Sequence, residues 1–352
     1  VVVLALFFAT SVDAAFEGFG SSTPGGSNGS RVTVTSLADS GHGTLREALA
    51  SANNSRIVFA IGGTINLNSR LEIQGRGFIT IDGSTAPPPG ITLAGDTLYV
   101  RNSHDIIITH IRVRQSGGDG ILVWDNSYNV VVDHCSVTDA ADENINITED
   151  TRNVTVSWCI IGDTRTDSFV RKSKGMLIAS FRTGPVTNVS LHHNLFINQF
   201  QRSPQISSPG LFDIRNNVIR DWGAYAMRLR RGAYGNIINN VFSTNDNPGR
   251  AAVLDSSAGH VYIHGNRGPA GVKINRLGTS NNEFTVAPVT TDPVDVLEAR
   301  VLREAGAFPR DSIDTLLTGP PSRARHSSAA LGPKQKDILN AQGDSAAPLN
   351  QY

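Results

Sequence analysis

Between Ile111 and Asn266, short apolar runs and single polar residues recur as one repeating unit. Each unit holds a strand-like apolar run, then one residue that is often Asn, then a second apolar pair. Aligned on that residue, Ile111, Cys135, Cys159, Asn194, Asn217, Asn240 and Asn266 share one column, with successive gaps of 24, 24, 35, 23, 23 and 26. The run from Val189 to His192 precedes the column in one unit, and the pairs Leu195-Phe196, Val218-Ile219 and Val241-Phe242 follow it in others. No helical 3.6 periodicity runs through the unit, so short strands and turns are expected. A period of this size means stacked coils, because no single unit can bury its own apolar face. The predicted architecture is all-β, a right-handed parallel β-helix, and such a rod commonly carries an extended polymer along one side.

The flanks follow other patterns. Thr44-Leu45-Arg46-Glu47 has the form of a capping box and predicts a short helix from Leu45 to about Ala52. A helix there would close the end of the solenoid, where apolar core and unpaired strand edges are otherwise exposed. Strands and turns then alternate from Ile57 to about Phe284. Beyond them, Val296, Leu297, Val301 and Leu302 have helical spacing stopped by Gly306, and a second short helix is predicted over 312–317. Residues 319–352, rich in Pro, Ser, Ala and Gln, are expected to fold back loosely or stay disordered. The first fifteen residues, VVVLALFFATSVDAA, read as the apolar core and cleavage region of a secretory signal peptide whose initiating Met and basic leader are missing. The expected organisation is a leader remnant at 1–15, the solenoid at 16–285, and a partly helical, loosely packed C-terminal tail at 286–352. No later stretch approaches a membrane span, and an exported, monomeric protein is expected.

Composition adds to this picture in two places. Gly is 34, aromatic residues are 7% and charged residues 18%, which suits many short strands joined by tight turns. Thirty-one Lys and Arg balance 31 Asp and Glu, so nothing global steers the chain to nucleic acid or an anionic membrane. Any site for a polyanion must be local. The only cysteines, Cys135 and Cys159, lie in the same column one coil apart. Coils about 4.8 Å apart would allow a disulfide, but parallel ladder side chains favour two stacked buried thiols. The Asn column reads as structural: stacked amides can bond above and below, and Asn tolerates the left-handed backbone of a sharp turn. Asn28, Asn53, Asn146, Asn153 and Asn188 open Asn-x-Ser/Thr sequons.

Four runs carry candidate chemistry: Gly118-Asp119-Gly120, Asp142-Glu143-Asn144-Ile145-Asn146-Ile147, Lys174-Gly175-Met176 and Gln201-Arg202-Ser203-Pro204. Each falls where a strand starts on a successive coil, so acids on two coils would stack beside bases on the next two. Alternation places Asp142, Asn144 and Asn146 outward and Ile145 and Ile147 inward. An oxygen-only ligand set suits Ca²⁺ better than zinc.

Several longer runs carry a family resemblance. AFEGFG, DSGHGTLREAL and DGSTAPPPGITL in the N-terminal half, then VVVDHCSV, VTVSWCII, KGMLI, VSLHHNLF and QRSPQI, occur in the order and spacing of secreted pectate lyases. The chain resembles that family over roughly residues 15–245. The resemblance implies a parallel β-helix and Ca²⁺-dependent eliminative cleavage of α-1,4-linked polygalacturonate, or pectin. Residue by residue it implies that Asp119 and Asp142 are calcium carboxylates. Asn146 stands where the family usually has a third carboxylate. Lys174 matches the substrate-binding lysine, and Arg202 the arginine that takes the C5 proton. A second arginine of the family falls at Ser207; Arg228, Arg230 or Arg231 could substitute. Because guanidinium scarcely deprotonates, the family's base implies an alkaline optimum.

Two other functions fit parts of the chain. A β-helix glycoside hydrolase would need clustered acids as acid and base, and Asp139, Asp142 and Glu143 form one crowded group. A non-catalytic polysaccharide-binding rod would be consistent with Asn146 and Ser207. His134, His192 and His193 are expected to stack on the coil faces.

Overall fold

The structure, a computed structural model, describes residues 16–163, 173–243, 252–255, 259–269 and 280–320. The expected leader and the last part of the tail lie outside the described residues. Three parallel sheets of eight, ten and eight strands run along the rod. One coil contributes Ile121–Trp124 to the first sheet, Tyr128–Asp133 to the second and Ser136–Thr138 to the third. Successive coils pair in register, so that Ile106, Val130, Val154, Val189 and Phe212 stack as one buried column. This is the parallel β-helix expected from the repeat.

The Asn column is a hydrogen-bonded ladder at the sharp corner between the second and third sheets. Asn194 Nδ2 donates to Asn217 Oδ1 at 3.0 Å, Asn217 Nδ2 to Asn240 Oδ1 at 3.0 Å, and Asn240 Nδ2 to Asn266 Oδ1 at 2.9 Å. Each acceptor oxygen also takes a backbone N–H from the coil before it. The left-handed backbone, however, belongs to the residue before the column: His110, His134, Trp158, His193, Asn216 and Asn239 all have φ near +50°. The column Asn is chosen for its amide, and its predecessor absorbs the turn. Cys135 and Cys159, in the same column, are buried unbridged thiols. Asn217→Ala removes both amide bonds while leaving Asn194 and the Leu191 carbonyl unmatched in the core. A loss of about 1–3 kcal/mol of unfolding free energy is expected, measured by urea denaturation; wild-type stability would show the ladder to be dispensable.

The turn residues stack in their own right, His110 on His134 at 5.1 Å and Trp158 on His193 at 4.3 Å between ring centroids. Burial pushes His192 down to about 3 and His193 down to about 4. Both are therefore neutral in the folded chain and would protonate first in the unfolded one. Their contribution to stability is complete above about 6.5, the ordinary value for His, and is lost as pH falls from there towards 4 and 3. A melting temperature that drops through this window in wild type, and drops less in His192→Asn, is the expected result; identical profiles would contradict it.

Thr44 Oγ1 accepts from Glu47 N at 3.2 Å to cap the helix Leu45–Ser51, and Glu47 reaches back to Gly43 N at 2.7 Å, one residue beyond Thr44. The helices Val294–Glu304 and Ser312–Thr318 lie on the third sheet, burying Leu297, Val301 and Leu317 among Ile160, Leu195, Val218 and Val241. Fully buried Asp314 ties them down: it accepts from Arg112 Nε at 3.2 Å, Arg114 Nη2 at 2.8 Å and Ser136 Oγ at 3.0 Å. Such a pair is costly to break because each partner would be left charged in the interior.

Candidate active site

All the candidate residues lie on or just before the first sheet, on the four coils that carry the strands Ile121–Trp124, Glu143–Thr148, Lys174–Ala179 and Gln205–Ser207. Two glycines let the coils close up there. A Cβ on Gly120 would stand 2.5 Å from the Asn144 carbonyl oxygen, and one on Gly175 would stand 2.4 Å from that of Arg202. The first approach sets Asp119 against the coil of Asn146, and the second sets Lys174 against that of Arg202. Arg202 itself has φ +68°, an uncommon region for a residue with a side chain.

Asp119, Asp142 and Glu143 bring one carboxylate oxygen each within 4.8 Å of one another. Asp119 is buried, accepting from Glu143 N at 3.0 Å and from Asn146 Nδ2 at 3.1 Å. Its carboxyl is pushed up to about 7, first by burial, and the nearby Asp142 raises it too, while Asn146, Lys174 and Arg202 pull the other way. Lys174 Nζ forms a tight ion pair with Asp142 and lies 3.7 Å from Glu143 Oε1. Arg202 Nη1 donates closely to the same Glu143 oxygen. Acids and bases thus form one contiguous chain of contacts, Asp119 to Asp142 and Glu143, then Lys174 and Arg202.

Three readings of the sequence change here. Asn144 is buried, donating to the Gly162 carbonyl at 2.8 Å and accepting from Ala140 N at 3.2 Å, because strict alternation breaks at the corner where the strand begins. Glu143 belongs to the site although its parity with Ile145 hides it; its register opposite Lys174 is the signal that finds it. Asp139, grouped with Asp142 and Glu143 from the sequence, is not a member of the acidic cluster. Ser207 pairs with Arg230 and Gln205 with Arg228 on the next coil. Arg228 lies over Tyr225, whose hydroxyl donates to Gln205 Oε1 at 2.6 Å. Positive charge therefore continues beyond Ser207, while Arg231 is engaged elsewhere, over Phe181 and on the Ser180 carbonyl.

The donor set fits a hard divalent cation. All donors are oxygens, and the Asn146 Oδ1 atom is buried with no hydrogen-bond partner. Half a turn of the amide would aim it at the side now served by Nδ2. Mixed carboxylate and amide oxygens are the usual ligands of Ca²⁺.

A model of the right-handed β-helix region matches residues 47–210. The probable pectate lyase C of Aspergillus terreus is 36% identical over 258 residues, covering 71% of this chain and 57% of its own length. The probable pectate lyase C of Aspergillus fumigatus is 32% identical over 330 residues, covering 86% of this chain and 74% of its own. Among solved structures, the major allergen from cedar pollen superposes with a TM-score of 0.69 at 19% identity, covering 83% of this chain and 93% of that one. A pectate lyase from Bacillus sp. N165 in complex with trigalacturonate gives 0.66 at 21% identity, with 83% and 98% covered. At such identities the structures establish a shared fold, and the sequence match over most of both chains establishes the rest: the chain belongs to the pectate lyase family.

Proposed function

We propose that this chain is an exported pectate lyase that cleaves α-1,4-linked polygalacturonate by β-elimination, with Ca²⁺ as cofactor. The observation that carries the reading is the continuous acid-to-base contact chain on successive coils, from buried Asp119 to Arg202. Asp119, Asp142 and Asn146 would hold the cation, with Glu143 beside them. When bound, Ca²⁺ would supply Lewis-acid stabilisation of charge building on the substrate carboxylate.

The residues of the chain account for the remaining steps. The C5 proton of a galacturonate lies α to its carboxylate. Its removal leaves an electron pair that becomes the C4–C5 double bond as the C4–O bond breaks, and the leaving oxygen takes a proton from water. Lys174 Nζ, now on Asp142, offers a substrate carboxylate a positive partner in the same place. Arg202 is the group to which the family resemblance assigns the C5 proton. Glu143 holds the Arg202 guanidinium in a close contact, so proton transfer requires that contact to loosen, and Lys174, 3.7 Å from the same oxygen, is the competing partner. Hydrolysis fits less well: it needs a pair of carboxyl groups free to act as acid and base, and here Asp142 and Glu143 are both engaged by cations, Lys174 and Arg202. Incubation with polygalacturonate is expected to release products with unsaturated ends that absorb in the ultraviolet. Saturated products only would mean hydrolysis, and retention without turnover would mean a binding rod.

A further inference from the structure

Arg202 is held from both directions along the rod. Glu143, on an earlier coil, takes its Nη1. The second hold comes from the following coil, where the run from Gly223 to Arg228 lies against the run from Gln199 to Gln205. Gly223 N donates to the Gln199 carbonyl at 2.9 Å, Ser203 N to that of Ala226 at 2.7 Å, and Arg228 N to that of Pro204 at 3.0 Å. Tyr225 and Arg202, one residue before Ala226 and Ser203, therefore stand side by side. Gly223 permits the approach, since a Cβ there would meet the Phe200 ring at 2.4 Å. Arg202 Nε is buried without a hydrogen-bond partner, so the aim of the guanidinium rests on what its other nitrogens meet.

Tyr225 is buried, and its hydroxyl donates to Gln205 Oε1 at 2.6 Å. That bond uses the one proton and leaves the oxygen lone pairs to accept. Arg228 Cζ lies 5.6 Å from the centre of the Tyr225 ring. Burial is the largest influence on the phenol and pushes its pKa up, while Arg202 and Arg228 pull it down, each by its charge and by hydrogen bonding. Both guanidinium groups thus bear on one buried oxygen. Packing alone would be served by Phe, without the cost of taking a hydroxyl out of water. Two like charges side by side repel, and a neutral oxygen that accepts from both offsets that repulsion. Arg230, the residue paired with Ser207, stands two positions further along the strand than Arg228.

We propose that Tyr225 is a positioning residue for the elimination, holding Arg202 and Arg228 side by side on its phenol oxygen, and that Arg228 thereby takes the substrate carboxylate left without an arginine at Ser207. The assignment rests on the pectate lyase reading. Tyr225→Phe keeps the ring beside Arg228 and removes only the oxygen. On polygalacturonate it is expected to lower kcat about tenfold, the kinetic equivalent of one lost charge-assisted hydrogen bond. Arg228→Ala should raise KM about fivefold with kcat less affected. The deciding comparison is a cycle with Arg202→Lys: in that background the loss from Tyr225→Phe should shrink to less than about twofold, because the group it aims is gone. Equal losses in both backgrounds would show a merely structural role and overturn the assignment, as would wild-type kinetics in Tyr225→Phe. The contact is read without turnover from the NMR signal of tyrosine labelled with carbon-13 at Cζ, assigned by its absence in Tyr225→Phe. It should move in Arg202→Lys and in Arg228→Ala, and a signal that stays put in either would overturn the shared oxygen. If the wild type forms no unsaturated product, the lyase reading fails, and the NMR signal still decides whether Tyr225 joins the two arginines.

Discussion

Arg202→Lys is expected to lower turnover of polygalacturonate by about 10² or more, the lower range for a positioned acid–base group, while calcium affinity stays within about twofold. Lysine keeps the charge but loses the planar fork that meets Glu143, and its single nitrogen cannot hold that carboxylate and face the substrate together. Arg202 sits at φ +68°, so the backbone aims the side chain and a new rotamer cannot easily restore the old position. Glu143→Gln probes the same contact from the other side. Removing its charge frees the guanidinium but also removes one acid from the cluster, so turnover and calcium affinity should fall together. Stopped-flow turnover and calorimetric calcium titration separate the two variants. Near-normal turnover in Arg202→Lys would mean that the proton goes to another group.

The fold was readable because its period is written in side-chain chemistry. A stacked amide needs the same residue at the same point of every coil, so Asn194, Asn217 and Asn240 announce the ladder before any coordinates do. A second ladder was not read: Asn188 donates to Asn153, Asn153 to Asn129 and Asn129 to Asp105, all within 3.1 Å. There the amides face outward and the flanking apolar runs already explain the strands, so nothing in the pattern singles them out. Contacts that close over the whole chain were hidden too. Arg112 and Arg114 look like outward strand residues, and only the distant Asp314 makes them interior. At the site, Asp119, Asp142, Lys174 and Arg202 came from their order along the coils. Asn144 was misplaced because the period-2 rule holds inside a strand and fails at its first residues, and Glu143, given no face by that rule, stood only in the crowded acidic group.

Calcium removal is expected to abolish activity, and Asn146→Asp to bind calcium about tenfold more tightly. The first expectation follows from Asp119, which is buried and whose carboxyl is pushed up to about 7 chiefly by that burial. A group in that state is stabilised when protonated: the stability it contributes is present below about 3.8, its ordinary value, and is lost as pH rises through 7. In alkaline solution the chain therefore holds an ionised interior carboxylate, and a bound cation offsets that cost. The melting temperature at pH 8–9 should accordingly rise on adding Ca²⁺, and rise less at pH 6, where protons compete for Asp119. Asn146→Asp exchanges an amide N–H, which now bonds Asp119 at 3.1 Å, for a second carboxylate facing the first. Without cation the two repel and the variant should melt lower than wild type at alkaline pH. With cation the added charge strengthens ligation, at about 1.4 kcal/mol for each tenfold in affinity. Opposite shifts in the two conditions are the signature of a ligand at position 146. An Asn146→Asp variant whose melting temperature and calcium affinity both match wild type would remove Asn146 from the cation site, and activity that survives exhaustive chelation would remove the cation from the reaction.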